Sequence, residues 1–289
     1  MRWIAVIVAF LMAAIAAVAQ TPAPWPKPSF EVASIKPTTA RGPVNTSPGG
    51  EYVAAGQPLK ALIALSHRIR GFQVLGGPAW VGTDLWEIQA KAPEGRVPAR
   101  STQRDLNKPD VMDLMLQSLL EDRFQLKLHQ ETRQLPVYEL VVAKGGPKLT
   151  LSENQGPILP RDPSAPIRRQ PNGLPEMIRG MYSIGGFGTV PGGRKFEGKA
   201  IALSALINQL IGMMNRPIID KTNLTGLYDI KLEWIPDNLQ ATPGGPPAPD
   251  SEGPTLTTAI QEQLGLRLES TKGPVEVIVI DSVQRPTEN

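Results

Sequence analysis

Two distant segments of the chain share one design: FQLKLHQETRQLPVYELVV, starting at Phe124, and LGLRLESTKGPVEVIVI, starting at Leu264. Each has three alternating apolar positions, a polar run, a Pro-Val step and a string of strand formers. Whatever one of them folds into, the other is constrained to resemble. Phe124, Leu126 and Leu128 fall on one side, with Gln125, Lys127 and His129 on the other. Leu264, Leu266 and Leu268 repeat this against Arg267 and Glu269. A period of two places one face on a core and the other towards water. The polar runs predict a turn, so each segment is expected to be a hairpin. The return halves, VYELVV and VEVIVI, are apolar at nearly every position and suit burial on both faces. The other repeat, or an outside protein, would supply the second cover.

Further features recur in the same order. FEVASI at Phe30 is set against MYSI at Met181, and the turn TSPGG at Thr46 against TVPGG at Thr189. Leu203, Leu206, Ile207, Leu210, Ile211 and Met214 form one helical stripe, matched by Leu59, Leu62, Ile63 and Ile69. The strands DLWEIQAKA and GLYDIKLEW put Trp86 beside Tyr228 and Ile88 beside Ile230. Second helices carry Met112, Met115, Leu116, Leu119 and Leu120, and Leu256, Ala259, Ile260 and Leu264; Asp110 and Thr255 are the expected caps. The predicted fold class is therefore α+β, in two duplicated units of about 110 residues. Each is a small mixed or antiparallel sheet with two helices, in the order β-turn-β-α-β-loop-α-β-turn-β.

The expected boundaries are a signal peptide at 1–19, a first unit at 20–150, a Pro-rich linker at 151–179 and a second unit at 180–289. Met1-Arg2, the apolar run Trp3 to Ala17 and the small residues Ala17 to Ala19 have the order of a secretory signal cleaved after Ala19. A retained anchor is the alternative; that run is shorter than the roughly 20 residues a spanning helix needs. No second hydrophobic segment follows, so no membrane span is expected after cleavage. The chain has no cysteine, which rules out disulfides, thiol nucleophiles and Cys-ligated zinc. A formal charge of +3 with dispersed basic residues does not point to nucleic acid. The expected location is the periplasm or the outside of the cell.

Chemistry-bearing residues are few. His67 and His129 are the two histidines, and His67 borders a helical stripe as packed histidines do. His129 shares a strand face with Lys127 and Glu131, a spacing open to proton transfer or half a metal site, and equally to a solvated face. The HExxH, GxSxG and P-loop patterns are missing. GGPAW, ending at Trp80, combines close-approach glycines with an aromatic, which suits either packing or a ligand surface. Candidate binding residues are Trp80, Arg123, Lys127, His129 and Glu131; no catalytic, metal or cofactor assignment is made.

FEVASIKP, GGPAW, MLQSLLEDRFQLKLHQETRQLPVYELVVAKGGPKL, DKTNLTGLYDIKLEW and IQEQLGLRLESTKGPVEVIVIDSVQRPTEN together resemble the soil-associated, largely acidobacterial paralogous family of unknown function. That resemblance spans Phe30 to Asn289 and implies no catalytic residues. FEGKAIALSALINQLIGMMNRPIID, followed by LTTAIQEQLGLRLES and VEVIVID, is similar to the secretin and TonB short N-terminal domain. The likeness implies a non-enzymatic periplasmic docking unit. The expected function is an exported binding module engaging an envelope protein or cell-wall component, with an envelope hydrolase using His129 and Glu131 as the alternative.

Overall fold

The computed structural model describes residues 27–47, 49–97, 108–159, 176–186, 192–236 and 253–286. The expected signal peptide, most of the Pro-rich stretch and most of the loop between Pro236 and Pro254 lie outside the described residues. The elements run β1 (Val32–Thr38), β2 (Val44–Thr46), β3 (Glu51–Pro58), α1 (Leu59–Ser66), β4 (Val74–Gly76), α2 (Trp80–Thr83), β5 (Leu85–Lys91), α3 (Val111–Arg123) and β6 (Lys127–Val142). They continue with β7 (Thr150–Leu151), β8 (Met181–Gly186), β9 (Arg194–Ala202), α4 (Leu203–Met214), β10 (Ile218–Asp220), β11 (Leu227–Trp234), α5 (Leu256–Leu264) and β12 (Leu266–Ser282). The class is mixed α+β, as the periodicities predict.

Helix boundaries follow local chemistry. Asp110 accepts from the backbone N–H groups of Met112 and Asp113 at the start of α3, and the Asp113 carboxylate accepts from the Asp110 N–H. This reciprocal pair satisfies donors that the first turn would otherwise strand. Arg68 Nε donates to Asp113 Oδ2 at 2.6 Å, tying the end of α1 to the start of α3. Thr255 caps α5 through Thr258 N–H, and α4 and α5 end on left-handed Asn215 and Gly265. The expected stripes are the buried ones: Leu203, Leu206, Ile207 and Leu210 on α4, and Met112, Met115, Leu116, Leu119 and Leu120 on α3.

Among the described residues the strands form three sheets, ordered β1-β5-β3-β2, β10-β6-β12-β4 and β7-β11-β9-β8. The two outer sheets are antiparallel throughout. FEVASI and MYSI do not take equivalent places: β1 pairs with β5, whereas β8 pairs with β9. The short β7 lies beside β11 instead, so the second outer sheet reaches back to Thr150.

The expected hairpins are absent, and this is the main correction to the sequence reading. β6 and β12 are each one continuous strand, of 16 and 17 residues, and they pair antiparallel with each other along their whole length. The supposed turns lie inside the ladder, with Thr132 opposite Glu276 and Lys272 opposite Pro136. Neither ETRQ nor STKG adopts the positive φ that a tight reversal uses, since Gly273 is not left-handed. Pro136 and Pro274 are tolerated because the outer strands β10 and β4 pair only with 138–140 and 278–280. Elsewhere that side of the ribbon is open, where a missing N–H forfeits no ladder bond.

The ribbon threads both cores. The first core gathers Leu59, Leu62, Ile63, Trp86, Ile88, Leu116, Leu120, Phe124 and Leu126, and it takes Ile278 and Ile280 from the end of β12. The second gathers Phe196, Leu206, Leu210, Tyr228, Leu232, Ile260, Leu264 and Leu266, and it takes Leu140 from the end of β6. On the ribbon's other face Val137, Val275 and Val277 are buried, with Leu75, Leu135, Ile219 and Val279 against them. The apolar return halves are thus buried on both faces, as their composition requires.

Two core positions are under-satisfied among the described residues, Trp86 at Nε1 and Tyr52 at its hydroxyl. Tyr52 is 3% exposed and packs on Phe30, and its hydroxyl has no hydrogen-bond partner. A buried unpaired polar atom costs about 1–3 kcal/mol. Tyr52→Phe is therefore expected to leave the fold intact and raise the urea midpoint; a lower midpoint would show that the hydroxyl is stabilised in solution.

Candidate functional site

The predicted polar face of β6 is one face of the ribbon. His129 Nδ1 lies 2.7 Å from Asp281 Oδ1, and His129 Nε2 lies 3.9 Å from Glu131. An ionised carboxylate only accepts, so the proton of the contact sits on Nδ1. Glu131 is also held by Arg133 Nε, and the His129 side chain is 48% exposed. Lys127 lies opposite Ser282, at the end of the same ladder. Arg123 closes α3 instead, 3.5 Å from Asp122, and lies on neither strand of the ribbon. Asp281 is the member that sequence reasoning missed. Its signal is a single acid closing the apolar run VEVIVI, and it comes from the far end of β12. Chemically, the cluster can orient an imidazole between two carboxylates. Among the described residues, no group of three or more His, Asp or Glu is disposed to hold a metal ion.

Trp80 is placed on the first core by α2. It stacks on Phe124 at 6.5 Å between ring centroids and meets Trp86 edge-on at 6.4 Å. The Arg285 guanidinium lies 5.0 Å from the Trp80 ring centroid and is itself held by Asp84 at 2.8 and 3.0 Å. Gly77, at φ 77°, brings the chain so close to β12 that a Cβ would lie 3.2 Å from Ile280 Cδ1. GGPAW thus seats the end of β12 against the first core.

His67 follows α1, with Nδ1 3.0 Å from the Ile63 carbonyl oxygen. Burial holds its pKa below the ordinary histidine value, against the opposing Ile63 bond and the Glu121 and Asp113 charges. An unfolded histidine gains its proton near about pH 6.5, while the folded one resists until lower pH. Stability is therefore expected to fall as pH drops through that window, and to be flat with respect to this group above it. His67→Gln should flatten the acid limb of a pH series of urea midpoints; an unchanged limb would assign it to other groups.

The sheet edges differ in how they are guarded. Native edge strands avoid unwanted pairing by being short, or by carrying charges or proline. β2, β4 and β10 have three residues each and β7 has two, while β1 carries Lys36 and Pro37. β8, MYSIGG, has six residues with neither charge nor proline, and every one is exposed. Tyr182 and Ile184 lie opposite buried Gly198 and Phe196, hence on the core side of the sheet. Tyr182 stacks on Phe196, and its hydroxyl accepts from Gln209 Nε2 of α4 at 2.9 Å. Tyr182 and Ile184 nevertheless remain 41% and 42% exposed. Sequence reasoning treated this stretch only as the counterpart of β1; the absence of any edge guard was its signal.

Neither the curated proteins nor the solved structures contain a match to this chain. A family described as a protein of unknown function, DUF3738, matches residues 60–283. That span runs from the second residue of α1 past the end of β12, and so takes in the ribbon, β8 and the polar cluster. The chain belongs to the DUF3738 family.

Proposed function

We propose that this chain is an exported, non-enzymatic binding module of the cell envelope, which engages a partner protein by strand addition at β8. The observation that carries the reading is the unguarded edge of β8. Among the described residues no strand pairs with its outer side, and Tyr182 and Ile184 flank it on the α4 side. Main-chain pairing supplies affinity in that mode, and the alternate side chains supply selectivity. The signal-like N-terminus and the likeness to periplasmic docking domains support the location. Among the described residues, no helix is long and apolar enough to cross a membrane.

The test is a photo-crosslinking residue placed at Ser183 in the native host, with Ile184→Lys as the edge-blocking variant. One defined protein adduct in the envelope or secreted fraction, lost with Ile184→Lys, is expected. An adduct unaffected by Ile184→Lys, or formed equally from a probe at β1, would overturn strand addition at β8.

A second reading, an envelope hydrolase using His129 and Glu131, is favoured by the 2.7 Å His129–Asp281 contact, which orients the imidazole as a base requires. It predicts a hydrolytic activity abolished by His129→Ala, and a fully active His129→Ala protein would end it.

A further inference from the structure

Between the end of α1 and the centre of the ribbon lies a solvent-open recess of about 210 Å³. His67 and Ile69 form one side, and Gln130, Thr132, Glu276 and Ile278 rise from the ribbon floor. Gln130 is opposite Ile278 and Thr132 is opposite Glu276, so these four side chains share one face. Glu131 of the polar cluster also borders the recess, whereas His129, Asp281 and β8 do not line it.

Two of its walls are fixed by bonds already made. Gln73 uses both ends of its amide: Oε1 accepts from the Arg70 N–H, and Nε2 donates to the Glu276 carbonyl at 2.9 Å. It locks the turn after α1 to β12. His67 Nδ1 faces the Ile63 carbonyl, which can only accept, so Nδ1 carries the proton and Nε2 keeps a lone pair. Ser66 Oγ, 3.1 Å from Nδ1, adds to that orientation.

The unused groups are chiefly acceptors. They are His67 Nε2, the Glu276 carboxylate, the Gln130 amide and the Thr132 hydroxyl; Glu276 forms no ion pair among the described residues. Ile69 and Ile278 supply an apolar margin beside them.

We propose that this recess binds a small alkylammonium group, with Glu276 and His67 Nε2 accepting from the ammonium and Ile69 and Ile278 holding its methylene stem. A carboxylate paired with an imidazole lone pair suits a cation that donates in several directions. The orientation of His67 and of the Gln73 wall is set before the ligand arrives, which lowers the ordering cost of binding. A free amine and a lysine side chain on a partner share this chemistry.

The test is an NMR titration of the full mature chain with n-butylamine, and with N-acetyl-lysine amide as the side-chain arm. n-Butanol and butyrate are the controls. Saturable shifts at Gln130, Thr132 and Glu276 are expected in the millimolar range for the amine, and at least tenfold weaker binding for butanol. Glu276→Gln should weaken the amine about tenfold, while leaving the urea midpoint within error because that side chain is exposed. Stronger binding of the lysine compound than of butylamine would assign the recess to a peptide. Equal or weaker binding would assign it to a free amine. No saturable shift with either amine, or tighter binding of butyrate, would overturn the proposal. Neither result depends on β8, so failure here leaves the strand-addition reading to its own test.

Discussion

Cut between residues 159 and 176, the chain is expected to stay assembled, and neither piece is expected to fold alone. The reason is the exchange of strand ends along the ribbon. The first piece would lose Ile278 and Ile280 from its core, together with the strand on which β4 pairs. The second would lose Leu140 and the strand on which β10 pairs. Each would also leave a strand of 16 or 17 residues without the partner that covers its length. Removing one buried large aliphatic side chain costs about 2–5 kcal/mol, so losing two approaches the whole stability of an ordinary domain, about 5–15 kcal/mol. Co-expressed pieces should therefore elute as a 1:1 complex with one cooperative unfolding transition. Expressed singly, each should lack a cooperative transition and dispersed amide resonances. A single piece that melts cooperatively would contradict the threaded architecture and restore two independent units.

That outcome bears on what the sequence could disclose. The helices were legible because their information is local. Asp110 and Thr255 cap within three residues, and the α4 stripe needs only the helical period to be read. The strand faces of β6 and β12 were legible for the same reason, down to the exposed Lys127 and the buried Leu266, but Phe124 and Leu264, read as the first strand positions, close α3 and α5 instead. The path of the strands was not. A polar run followed by Pro-Val looks like a turn whenever strands of ordinary length, about 5–6 residues, are assumed. The long ribbon becomes visible only when the two similar segments are allowed to pair with each other rather than each with itself. β4 and β10, three residues each, carry no periodicity to read. Among the candidate site residues, Lys127, His129 and Glu131 do share a face, whereas Trp80 lies elsewhere on the first core. Asp281 escaped notice because its relation to His129 depends on that long-range register.

Gly265→Ala is expected to be the most damaging single-methyl change in the chain's second half. Gly265 ends α5 and opens β12 in the left-handed region, at φ 64°. An added Cβ would lie 2.1 Å from the Gly146 carbonyl oxygen and 2.9 Å from Lys148 N. Both are backbone atoms that cannot rotate away. They belong to the loop leaving β6, which is bonded to this same joint: Ala143 N–H donates to the Gly265 carbonyl at 2.9 Å, and Lys148 N–H to the Leu264 carbonyl at 2.8 Å. The methyl would therefore push apart the exit of one long strand and the entrance of the other. Gly95→Ala provides the control, since Gly95 is also left-handed, at φ 72°, with nothing within 4 Å of where an added methyl would sit. It should show the conformational term alone, about 1–2 kcal/mol. Gly265→Ala should exceed it by a further 1–3 kcal/mol or so, the usual scale of overpacking. The difference between the two is the quantity to measure, by urea denaturation of both variants beside the parent. Losses equal within about 0.5 kcal/mol would mean that the loop yields and that β6 and β12 are not rigidly joined there. A clear excess at Gly265 would instead place a fixed contact where the exit of β6 meets the entrance of β12.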